Sequence, residues 1–103
     1  MRIEEIREFC SDERIYITQH SSLRMLERSI SYDDVLNAVM TGEIIEEYPT
    51  DHPYPSYLIL GTERYPLHIV CGFGNKQLFI ITTYKPDAEK WSEDWKTRKG
   101  GVR

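Results

Sequence analysis

The sequence predicts an α+β fold in which N-terminal helices pack on a four-stranded, mainly antiparallel sheet. Apolar residues recur at three- and four-residue spacing through roughly the first forty positions, the signature of amphipathic helices. Short β-branched and aromatic runs bounded by Gly, Pro and Asn then follow, the signature of strands and turns. The chain has 103 residues and 40% hydrophobic content, enough for one core without metal or disulfide staples. Residues 1–103 are therefore read as a single domain, with 86–103 as a C-terminal tail.

Ile3, Ile6 and Phe9/Cys10 predict a short amphipathic helix, and Arg14-Ile15-Tyr16-Ile17 a short strand or an extended link. The next helix carries His20, Arg24 and Arg28 along one face, because 3.6 residues per turn bring these positions into line. Leu23, Leu26 and Ile30 run beside them as an apolar stripe, the side expected to be buried. Ser31 then caps a further helix with Asp33 and Asp34 in its first turn, an apolar face of Val35, Leu36, Val39 and Met40, and Gly42 at its end.

Glu43 to Tyr48 is Ile-rich and stops at Pro49, predicting a first sheet strand with an acidic exposed side. Pro49, Pro53 and Pro55 bracket Thr50-Asp51-His52 and impose a loop, since each proline fixes φ and removes an amide donor. Tyr57–Gly61, Leu67–Phe73 and Leu78–Tyr84 complete an antiparallel meander, turning at Thr62-Glu63-Arg64 and Gly74-Asn75. After Pro86 a helical or irregular tail carries Trp91 and Trp95. If Gly74-Asn75 are the central turn residues, His68 lies opposite Ile81. His68, Thr83 and Lys85 then project to a polar face, and Ile69, Cys71, Leu78, Ile80 and Thr82 to an apolar one. A slip of one residue reverses that relation.

The formal charge of −4 argues against a chain that grips nucleic acid through its net field. From Asp94 to the end, however, Lys96, Arg98, Lys99 and Arg103 face a single carboxylate. Such a basic end suits a small anionic ligand, a nucleic-acid end or an acidic partner, or is simply a solvated tail. No apolar run approaches the roughly 18 residues that span a bilayer, and the first residues are too charged for a signal peptide, so no membrane and a cytoplasmic location are expected. Cys10 and Cys71 lack Cys-x-x-Cys spacing and read as reduced structural thiols.

His20 and His68 can serve as general base and acid, because imidazole titrates near neutrality and can move protons in and out of a 2′-hydroxyl displacement on RNA. Arg24 and Arg28 suit a scissile phosphate through their permanent charge and forked donors, and Lys85 or Tyr84 can add a donor at the strand end. The plainer alternative pairs the arginines with Glu27 and makes His20 a cap. The spacing of His20, His52 and His68 fits no zinc site, no Gly-rich phosphate loop is present, and no cofactor is implied. Tyr54, Tyr57, Tyr65, Phe79, Trp91 and Trp95 are candidates for stacking on bases, against the commoner role of strand aromatics in packing.

The run His20-x3-Arg24-Met25-x-Glu27-Arg28-x-Ile30-Ser31, with Gly42-Glu43-Ile44-Ile45, Leu67-His68-Ile69-Val70 and Ile81-Thr82-Thr83-Tyr84-Lys85-Pro86 before Trp91, resembles the bacterial Domain of Unknown Function 4258 family. The resemblance implies a small fold similar to RelE-like toxins, a zinc-finger-type antitoxin as partner, and RNA cleavage. Its motif positions here are His20, Arg24, Glu27, Arg28, His68, Tyr84 and Pro86. RelE-like ribonucleases are typically basic and ribosome-directed, whereas this chain is acidic. The leading expectation is therefore a metal-independent, toxin-like endoribonuclease acting on a small or structured RNA substrate. The alternative is a non-catalytic interaction module, or a degenerate toxin that binds a partner protein or small ligand.

Overall fold

A computed structural model describes residues 2–100. The elements are α1 (Ile3–Ser11), β1 (Ile15–Ile17), α2 (Gln19–Glu27), α3 (Tyr32–Thr41), β2 (Glu43–Tyr48), β3 (Ser56–Gly61), β4 (Leu67–Gly74) and β5 (Gln77–Tyr84). Side-chain caps start the second and third helices: Thr18 Oγ1 accepts from the Ser21 N–H at 3.0 Å, and Ser31 forms a capping box with Asp34. The end of α3 is capped by a distant residue. Arg7 donates from Nε to the Val39 carbonyl at 3.2 Å and from Nη2 to that of Gly42 at 2.8 Å, tying α1 to α3.

The α+β class is as expected, but the sheet has five strands rather than four, in the order β1-β5-β4-β3-β2. The expected meander from β2 to β5 is antiparallel. The added strand is β1, only three residues long, which pairs parallel to β5 with Ile15 opposite Leu78 and Ile17 opposite Ile80. Of the short strand or extended link expected at Arg14–Ile17, the structure shows the strand; its place in the sheet was not legible, because the pairing depends on a partner some sixty residues away. One face of the sheet meets Ile6, Met25, Ile30, Val35, Ala38 and Val39, which bury Ile59, Leu67, Ile69, Cys71, Leu78 and Ile80. The other face carries a smaller cluster of Tyr48, Leu58 and Trp91, with Ile45, Val70 and Trp95 against it.

Two further expectations need correction. First, α2 buries Ser21 and Met25, whereas Leu23 and Leu26 are 53% and 79% exposed. The helix is turned so that the long Met25 side chain fills the core and the two leucines lie on roughly the opposite side. Second, the β4–β5 turn is centred on Asn75 and Lys76, both at positive φ, with Gly74 opposite Gln77. That placement shifts the pairing by two residues and keeps every face. An irregularity at Ile81 then adds one residue, so His68 opposes Tyr84 and Thr83 opposes Ile69. Thr83 is consequently buried on the helix side, and Lys85 is no companion of His68.

Of the helical or irregular tail expected after Pro86, the structure shows the irregular form. Trp91 and Arg98 form a lone antiparallel bridge, Ser92 N–H donates to the Thr97 carbonyl, and Lys99 N–H to that of Lys90. Asp94 accepts from the amides of Lys96 and Thr97, fixing a turn that competes with helix. Two of the cations read as a basic end are tied to β2: Lys96 pairs with Glu43 at 2.6 Å, and Arg98 makes two bonds to Glu46 at 2.9 and 3.0 Å. Arg103 lies outside the described residues. Cys10 and Cys71 are free thiols; burial pushes them to about 11 and about 12, keeping both protonated. Among the described residues no helix is long and apolar enough to cross a membrane.

Candidate functional site

Alternation along β4 sends Leu67, Ile69 and Cys71 into the helix-side core, so His68 and Val70 face the other way. There the C-terminal segment closes over His68, leaving it 0% exposed. Nε2 lies 2.8 Å from the Trp95 carbonyl oxygen and Nδ1 3.2 Å from the Tyr84 hydroxyl, while the Trp91 ring meets the imidazole edge-on at 4.4 Å. A carbonyl only accepts, so Nε2 carries the proton and Nδ1 accepts from Tyr84. Burial lowers the His68 pKa and raises that of Tyr84. The arrangement holds a neutral imidazole with both nitrogens engaged, which secures the tail to the sheet.

The remaining predicted residues lie at the surface. His20, second residue of α2, is exposed. Arg24 pairs with Glu27 at 3.0 Å, both about half exposed, so the pair exchanges readily for another anion. Arg28 Nη1 donates to the Thr83 carbonyl at 2.7 Å, which draws this arginine to the end of β5 beside Tyr84. Lys85 is exposed, with Nζ 5.1 Å from the centre of the Tyr65 ring. The structure thus joins His68 on β4 to Tyr84 on β5 and brings Arg28 to the end of β5. Among the described residues no hydrogen bond or ring contact links His20 to His68.

A groove that holds none of the predicted catalytic residues, but two of the stacking candidates, Tyr54 and Phe79, opens on the His68 side of the sheet. Its volume is about 330 Å³, and Val70, Gly72, Phe79 and Ile81 line it from the strands. Thr18 closes it at the N-cap of α2, and the loop from Asp51 to Tyr54, with a cis bond between His52 and Pro53, forms the other wall. Tyr54 and Phe79 stand nearly parallel, 13° apart with ring centres at 5.8 Å, and Tyr16 meets Phe79 edge-on. Asp51 accepts from the Ser56 hydroxyl at 2.5 Å. The proline-bracketed loop and the aromatic character of Tyr54 and Phe79 were visible in sequence. Their convergence was not, because it brings a loop against a strand some twenty-five residues further along the chain, which no local pattern encodes.

A family model for a domain of unknown function, DUF4258, matches residues 17–85. The chain belongs to this family. No curated protein and no solved structure matches it. The DUF4258 region holds all six predicted residues, from His20 to Lys85, and the groove. It excludes α1 and the segment after Lys85, which supplies the Trp95 carbonyl and the Trp91 ring over His68.

Proposed function

We propose that this DUF4258 chain is a toxin-like endoribonuclease, related to RelE-like toxins, that cleaves small or structured RNA without a metal. The observation that supports the reading is the cationic edge of α2. His20 is exposed there, Arg24 is held only by a surface pair, and Arg28 is anchored through one nitrogen, leaving the rest of its guanidinium for an anion. RNA lies along this edge. His20 takes the proton of a 2′-hydroxyl as its oxygen attacks the adjacent phosphorus, and Arg24 and Arg28 hold the phosphoryl oxygens. A 2′,3′-cyclic phosphate forms, and the leaving 5′-oxygen takes a proton from water. His68 and Tyr84 support the strand end that anchors Arg28 and do not meet substrate.

The test is cleavage of total RNA by purified protein in the presence of chelator. His20→Ala should lower the rate about 10²- to 10⁴-fold, the usual weight of a positioned base. Folded His20→Ala that cleaves as fast as wild type, or wild type that cleaves nothing, removes the nuclease reading. The second reading is an interaction module for a partner such as an antitoxin. Leu23 and Leu26, 53% and 79% exposed side by side on α2, favour it. In that case Leu26→Glu should abolish partner binding while His20→Ala leaves it intact.

A further inference from the structure

We infer that the groove between α2's N-cap and the Asp51–Tyr54 loop is a subsite for an amino-bearing nucleobase, cytosine, adenine or guanine. This deepens the nuclease reading and rests on it for the polymer, though not for the base itself. The groove's volume of about 330 Å³ accommodates one heterocycle. Its aromatic lining is fixed in place, because Tyr54 is stacked nearly parallel to Phe79, which Tyr16 braces edge-on. Aromatic linings of this kind accept any base through its π-face.

The polar rim selects among bases. Asp51 uses one carboxylate oxygen for the Ser56 hydroxyl, and its other oxygen has no hydrogen-bond partner among the described residues. An ionised carboxylate only accepts, so it calls for a donor such as an exocyclic amine. Uracil offers one ring N–H flanked by two carbonyl oxygens, which the carboxylate repels. Thr18 Oγ1 accepts from the Ser21 amide, leaving its own proton to donate to a ring nitrogen or carbonyl of the base. An apolar peptide side chain would leave both groups unanswered. The helix that begins at Thr18 also carries His20, Arg24 and Arg28 against a single acid, Glu27, so a phosphate attached to the base meets complementary charge.

The experiment titrates the full chain carrying His20→Ala with cytidine and uridine monophosphates, followed by amide chemical shifts. The two rings are the same size, so stacking is matched. The amides of Gly72 and Ile81 should move with the cytidine nucleotide, and the uridine nucleotide should bind at least about tenfold more weakly, the weight of one hydrogen bond to a charged group. Asp51→Asn, whose carbonyl still serves Ser56, should shrink that ratio below about twofold. Equal affinities, shifts confined to α2, or no shifts overturn the inference. Base binding without RNA cleavage by wild type would remove the nuclease reading alone; cleavage with unmoved groove amides would remove the base subsite alone.

Discussion

His68 illustrates how little a residue's type says about its job until its neighbours are known. An imidazole suits proton transfer, yet here its two nitrogens are occupied by the Trp95 carbonyl and the Tyr84 hydroxyl beneath Trp91. His68→Ala should cost about 3–5 kcal/mol, since it opens a cavity and leaves two part-buried polar partners without their bonds; urea denaturation measures this. The pH dependence follows from burial, which sets the folded pKa below the ordinary 6.5. The unfolded chain therefore binds the proton first, so the stabilisation is intact above pH 6.5 and declines as pH falls toward the folded value. Asp34, lowered to about 2 chiefly by its hydrogen bond from Tyr65, acts in a separate window below 3.8. Melting curves at pH 7.5 and 5.5 should therefore differ for wild type and converge for His68→Gln. Sequence showed His68, Tyr84 and the tryptophans as individual candidates. It did not show that they meet, because Trp95 reaches His68 through a backbone carbonyl, which no side-chain pattern encodes.

At the scale of elements, legibility followed local chemistry. The Ser31 cap, the Ile- and Val-rich strands and the proline loop were readable, since each depends on residues within a few positions. The orientation of α2 was not. Leu23 and Leu26 present the more apolar stripe, but the burial of Ser21 and Met25 shows that contact with β5 decides the facing. Met25→Ala should cost about 2–4 kcal/mol, and Leu26→Ala should stay within about 0.5 kcal/mol. Equal losses in thermal denaturation would contradict this orientation. The irregularity at Ile81 was equally hidden, because a bulge is a relation between two strands and leaves no composition signal.

Over the whole molecule, the acidic body and basic end are two halves of one contact. Glu43 and Glu46 on β2 receive Lys96 and Arg98, and Arg98 also lies over the Trp91 ring at 4.5 Å. Arg98→Ala should lower stability by roughly 1.5–3 kcal/mol, the range for hydrogen bonds to charged groups. It should also shift tryptophan emission to the red as Trp91 and Trp95 gain water; an unchanged spectrum would mean the tail is held without it. The sheet carries a further consequence in its geometry. Up to Ile80, β5 keeps one phase with β4; beyond Ile81 it keeps the other, so Leu78 and Thr83 share a side although they are an odd number of residues apart. Deleting Ile81 would therefore close the bulge rather than shift the frame, because Ile80 and Thr82 already oppose the neighbouring residues Cys71 and Val70. Thr83 would stay opposite Ile69 and Tyr84 opposite His68, so a chain shorter by one residue would keep its sealed latch and lose only one wall of the groove.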